Sequence, residues 1–255
     1  MIDRITDQLI AADVPVCVYN YVTQLSDGLQ CAPTPLAFHA GGKLVVHKPI
    51  DAPGQAMINY LTKTFRIADV IQLGETPGRN TGNLAAVFDD GSKRMYACRE
   101  GEGVAPEVQA WAEAVGYQPV PLAVTEEDGR ASTDMASVLF LGTGFALVCL
   151  DALRSEQDQD TLLDDLVAAN RKVIAISYAQ RKRFITGIME VATHYGEPVV
   201  VLSETFHNSL LPGQADALSS FATLLPVSWD EAGPWGAGIS PAAFFTAVSL
   251  EKIVS

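Results

Sequence analysis

A recurring pattern constrains this chain more than any other feature. An amphipathic helix, a β-branched strand, a turn-rich loop and a hairpin follow one another repeatedly along 255 residues. Helices are predicted over 4–12, 53–65, 105–115, 160–170 and 213–223, from apolar residues spaced three and four apart. Each leads at once into a short apolar strand starting near Val14, Ile67, Gln118, Lys172 or Leu224. These starts lie about 51–54 residues apart, the regular interval of an architecture built from supersecondary repeats. The hairpins pair 36–39 with 43–47, 84–88 with 94–98, 137–141 with 145–149, and 187–191 with 198–202. Their turns carry Gly41-Gly42, Asp90-Gly91, Gly142-Thr143-Gly144 and Tyr195-Gly196, and glycine-containing turns between alternating apolar runs are hairpin signals. Helix punctuation agrees: Asp3 and Asp160 are read as N-terminal caps, Pro106 suits a first turn, and Gly116 suits a left-handed C-cap.

No single unit can bury both faces of so small a sheet. Five of them are therefore expected to close around an axis, giving an α/β fold: one five-bladed α/β propeller domain over residues 1–255. The fifth unit reads as incomplete, because only one long strand, 243–253, follows the strand near Leu224. An uncovered strand edge invites pairing, so a homo- or hetero-oligomeric partner is one expectation.

Composition narrows the function classes. An apolar content of 48% supports a full core, and no run reaches the ~18 apolar residues of a membrane span. No secretory leader is expected from Met1-Ile2-Asp3-Arg4, and Cys17, Cys31, Cys98 and Cys149 show no Cys-x-x-Cys spacing. The expected setting is the cytoplasm, with no membrane association. A net charge of −13 repels phosphate backbones, so no nucleic acid is expected as a partner. The one basic cluster, Arg181-Lys182-Arg183, is read as a solvated loop or helix end. His39, His47, His194 and His207 form no spaced ligand set; a polar surface role is their default, and neither a metal nor a cofactor is implied.

Several words inside the repeat carry a resemblance. They include Arg94-Met95-Tyr96-Ala97-Cys98, Ala114-Val115-Gly116-Tyr117-Gln118-Pro119-Val120, Ala146-Leu147-Val148-Cys149-Leu150-Asp151 and Ile176-Ser177-Tyr178-Ala179-Gln180. In their order and spacing they resemble the pentein superfamily of guanidine-modifying enzymes, in its arginine deiminase-related, amidinotransferase-like branch. That resemblance implies a pentein-type propeller. It also implies a cysteine thiolate that attacks a guanidinium carbon, a histidine that moves protons, and acids that hold the planar cation.

The implied positions are changed here. The cysteine follows a glycine-rich loop in the family, and the corresponding run Gly236-Ala237-Gly238-Ile239-Ser240-Pro241-Ala242 places Ala242 at the nucleophile position. No cysteine follows Cys149 in this sequence. The histidine position falls on Asp134, one acid position on Thr81-Gly82-Asn83, the other near Thr34, and an asparagine position on Gly187.

The resemblance therefore implies a catalytically degenerate relative that binds a small ligand or a protein partner. The alternative is repurposed hydrolase or transferase chemistry on a small amino-acid-like substrate, with Asp134 and Ser240 as its polar groups. A third reading is an inactive subunit beside an active homologue. Expected ligand-binding residues are Thr34, Thr81, Asn83, Asp134 and Trp235, whose indole can stack on a planar ligand or plug the channel. Asp134 can bind a cation or act as a base, or serve as a turn acid in Ser132-Thr133-Asp134. Arg79 and Asn80 can neutralise an anion or form a solvated turn. Cys31 is weighed as a relocated nucleophile against a structural thiol, and Cys98 and Cys149 are assigned to the core.

Overall fold

A computed structural model describes residues 2–16, 36–39, 41–46, 52–73, 86–184 and 188–228. In chain order its elements begin with α1 (Ile2–Ala11), β1 (Leu36–His39), β2 (Lys43–Val46), α2 (Ala52–Thr64) and β3 (Asp69–Gln72). Next come β4 (Ala86–Asp89), β5 (Arg94–Glu100), β6 (Gly103–Val104), α3 (Pro106–Val115) and β7 (Gln118–Leu122). These lead to β8 (Leu139–Gly142), β9 (Phe145–Val148), α4 (Glu156–Ala168), β10 (Lys172–Ala175) and α5 (Tyr178–Phe184). The last are β11 (Ile188–Ala192), β12 (Pro198–Ser203), α6 (Glu204–His207), α7 (Pro212–Ser219) and β13 (Thr223–Val227).

The strands form small mixed sheets ordered β1-β2-β3, β4-β5-β7, β8-β9-β10 and β11-β12-β13, with β6 added to β5. Each has an antiparallel hairpin and a third strand parallel to the hairpin's second strand. The repeat is therefore hairpin, helix, strand. Sequence reading grouped each helix and strand with the hairpin after it; in the structure they complete the hairpin before it. The reason is geometric: a helix carries the chain back along the sheet so that the next strand can lie parallel, beside the one it left.

Local chemistry accounts for the helix ends. Pro106 opens α3, and Gly116 closes it at φ 82° with its N–H on the Ala112 and Glu113 carbonyls. Asp160, expected as a cap, lies inside α4. That helix starts four residues earlier because the Ser155 side chain accepts a hydrogen bond from the Asp158 N–H at 3.1 Å. Asp3 likewise sits within the first turn of α1, which begins at Ile2.

Neighbouring sheets share one core after another. Ala37 and Val45 of the first sheet pack with Met95, Ala97 and the α3 residues Val108 and Trp111 of the second. Tyr96 and Leu122 of the second meet Phe145 and Leu147 of the third, which also contact Val200 and Leu202 of the fourth. The fourth sheet then receives α1: Ile5, Leu9 and Val14 pack against Met189, Val199, Val201 and Val227. Polar ties follow the same sequence of seams. Lys43 donates to the Val115 carbonyl at 3.2 Å, Arg171 pairs with Asp89 at 2.6 Å, and the Thr143 N–H donates to Glu190 at 2.7 Å. The His194 N–H closes the series on the Asp13 carbonyl at 2.9 Å.

Candidate functional site

The segment entering β8 and the segments leaving β9 and β10 meet at one end of the third sheet, because Leu139 pairs with Val148 and Val148 with Ala175. This end carries Asp134, Cys149, Asp151 and α5. Of the sequence-derived site residues, Asp134 is the one that falls among the described residues. Thr34, Thr81, Asn83, Trp235, Ser240 and Ala242 lie outside them, as do Cys31, Arg79, Asn80 and Gly187.

Asp134 is folded into its own turn. Its carboxylate accepts the Ser137 N–H at 3.0 Å, its carbonyl accepts the Ser137 hydroxyl at 3.0 Å, and its N–H donates to Ser132 at 3.3 Å. Between the two sequence readings of this residue, the hydrogen bonds are those of a turn acid. The carboxyl is half-buried, and burial raises its pKa; the Ser137 N–H and the charge of Arg181 act against that rise.

Arg181 is the residue that sequence reading missed. Grouped with a solvated cluster, it is instead buried at 2% exposure, while Lys182 beside it is exposed and paired with Glu127. Its Nε donates to the Ser137 hydroxyl at 3.0 Å and its terminal nitrogens to the Thr125 carbonyl at 2.9 Å, Glu126 at 3.0 Å and Ser132 at 3.3 Å. One guanidinium thus pins the segment that presents Asp134. The i, i+3 spacing of Tyr178 and Arg181 was the available signal: it places both on one helix face, turned toward residues 125–137.

The thiols near this end are held in the protonated form. Burial pushes Cys98 up to about 12, with the Asp134 carboxylate adding to the rise. Burial likewise pushes Cys149 up to about 11. Nucleophilic cysteines need a depressed value, so neither is suited to attack a guanidinium. Both should resist iodoacetamide in the native protein at pH 8 and label fully in denaturant, a contrast that mass spectrometry reads directly. Rapid native labelling of Cys98 would mean an accessible thiolate.

His39, expected at the surface, is 8% exposed, and its Nε2 accepts the Trp111 indole N–H at 3.0 Å on the first seam. Among the described residues, no three side chains of His, Cys, Asp or Glu gather closely enough to hold a metal ion. No helix among them is long and apolar enough to cross a membrane.

Comparison with known proteins accords with this architecture. A family model for N,N dimethylarginine dimethylhydrolase, eukaryotic, matches residues 54–238. No curated protein matches the chain in sequence. Among solved structures, the substrate-bound N-terminal domain of ArgZ, an arginine dihydrolase from the ornithine–ammonia cycle in cyanobacteria, superposes with a TM-score of 0.53 at 12% identity. That match covers 78% of this chain and 69% of the domain. Unliganded AgrE superposes with a TM-score of 0.53 at 13% identity over 78% of this chain, which spans 27% of AgrE. At these identities the likeness is one of fold: a mixed α/β architecture of several small sheets, as in pentein-fold enzymes. Together with the family match, it establishes that the chain belongs to the N,N dimethylarginine dimethylhydrolase family of the pentein superfamily.

Proposed function

We propose that this chain is a five-bladed pentein that keeps the family's ligand-binding scaffold without its cysteine-dependent guanidine hydrolysis. The observation that carries the reading is the state of the described end of the third sheet. Asp134 stands where the resemblance implies a histidine and is committed to its own turn, the nearby thiols are protonated, and no cysteine follows Cys149 in the sequence, where the resemblance implies the nucleophile. A guanidinium bound there meets no nucleophile–base pair among the described residues. In a well-studied hydrolase, loss of such a pair lowers turnover on the order of 10⁶-fold.

The fifth blade is supported by the seam between α1 and the fourth sheet. A helix followed by Val14 docks there as α3 and β7 follow the first sheet, with the Asp13 carbonyl bonded to the fourth hairpin's turn. In this reading α1 (Ile2–Ala11) is the helix of the fifth blade, and the segment through Val14 leads out of it.

The test is a citrulline assay with arginine, monomethylarginine and asymmetric dimethylarginine, paired with a thermal-shift screen of guanidines and amino acids. The expected result is citrulline at the buffer background with a dose-dependent rise in Tm for at least one ligand. Turnover above background that a single substitution abolishes would overturn the reading.

A further inference from the structure

We infer that His39 is an acid-sensitive latch that holds the first hairpin–helix–strand unit against the second. The geometry is a buried ring cluster across that seam. His39 ends β1 and lies 4.5 Å from the Phe88 ring of β4, 5.6 Å from Trp111 of α3 and 5.9 Å from Tyr117, which precedes β7, between centroids. Phe88 in turn packs edge-on against Tyr117 at 5.3 Å and tilted against Trp111 at 4.5 Å. The imidazole is tied into this cluster by a 3.0 Å hydrogen bond in which Trp111 Nε1–H donates to His39 Nε2.

That bond requires a neutral ring. An indole only donates, so its partner nitrogen must keep a lone pair, and a proton on Nε2 would set two donors against each other. The charged groups facing His39 do not relieve the conflict. Lys43 of β2 and Lys93 of the β4–β5 turn both oppose a second positive charge, and only Asp90 of that turn favours it. Asp90 already accepts the Tyr117 hydroxyl, and the Lys93 ammonium lies 4.8 Å from the Tyr117 ring centroid. A cation at His39 thus has no committed partner in the closed seam, and protonation must pull the seam open.

The sign follows from the direction of the shift. Burial holds the folded imidazole down at about 4 against an ordinary value of 6.5. The latch's contribution is fully present above pH 6.5 and falls as the pH drops from 6.5 toward 4. The opened state gains up to tenfold in population per pH unit in that window, about 20-fold between pH 7 and pH 5. The inference is independent of what the pocket binds, because the cluster lies at the turn end of β1, away from the segment entering it.

Hydrogen exchange at Trp111 Nε1–H, measured by NMR on the full chain from pH 7 to pH 4.5 and corrected for intrinsic indole exchange, tests the latch. The expected result is about 20-fold greater opening at pH 5 than at pH 7, with β9 amides still protected. His39→Gln, which keeps an acceptor but cannot titrate, should flatten that dependence. Should that variant fail to fold, the imidazole titration of the wild-type protein decides: a ring that titrates near 6.5, as in water, overturns the latch. So does a pH-independent Trp111, an unchanged response in His39→Gln, or β9 opening in step with Trp111.

Discussion

Arg171→Met is expected to destabilise the protein by about 3–5 kcal/mol, the usual cost of removing one partner from a buried ion pair. The side chain of Asp89 is wholly buried, and Arg171 grips it with two bonds, Nη1 to Oδ2 at 2.6 Å and Nη2 to Oδ1 at 2.9 Å. The same guanidinium donates from Nε to the Gly142 carbonyl at 3.3 Å, so it joins the end of β4 to the turn of the β8–β9 hairpin. Without it, the carboxylate keeps the Gly91 N–H at 3.0 Å and loses its countercharge. Burial raises the Asp89 pKa, but the hydrogen bonds and charge of Arg171 and the bonds from Ser92 outweigh it, leaving the pKa below 3.8. The wild-type pair therefore stabilises above pH 3.8 and loses that contribution as the pH falls through the lower folded value. Urea denaturation at pH 7 measures the loss, and adding Asp89→Leu to Arg171→Met should recover part of it, because the stranded charge is then gone. A loss under about 0.5 kcal/mol would mean that water screens the pair as it does at exposed sites.

Leu9→Ala should cost about 2–5 kcal/mol, the range for a leucine truncated in a packed core. Leu9 is 5% exposed, in a cluster with Met189, Val199, Val201 and Val227 that includes no other helix of the described chain. The substitution empties the joint between the first described element and the last sheet. Amide exchange should rise first in β12 and β13, while β9, inside the other large cluster, keeps its protection. Ile10→Ala is the matched control: Ile10 is 57% exposed on the same helix, and its truncation should stay within about 0.5 kcal/mol. Equal effects from the two substitutions would mean that α1 does not dock in solution.

Much of the fold was legible residue by residue. The hairpins around Gly41-Gly42, Asp90-Gly91 and Gly142-Thr143-Gly144 stand within two residues of their expected bounds, because strand alternation and turn glycines are local signals. Gly116 capped its helix for the same reason. Asp160 misled because a carboxylate suits a cap and a first turn alike, whereas Ser155 held the cap itself. The candidate site was less legible. Arg181 and Lys182 are adjacent and chemically alike in sequence, yet one is buried with four hydrogen-bonded partners and the other lies at the surface. Local charge cannot report that difference, since it depends on Thr125, Glu126, Ser132 and Ser137, which lie 44–56 residues earlier in the chain.

By itself the sequence determined the four hairpins, the main helices, their order, the repeat interval and the resemblance to the pentein superfamily, because helix and strand periodicity and turn chemistry act over a few residues. Tertiary structure alone decided which hairpin each helix-borne strand completes, which charges are buried as pairs, and that His39 and Arg181 lie inside. Those outcomes rest on contacts between residues as far apart as Asp89 and Arg171 or His39 and Trp111. Their free energy comes from shared burial, which exists only once the units have packed.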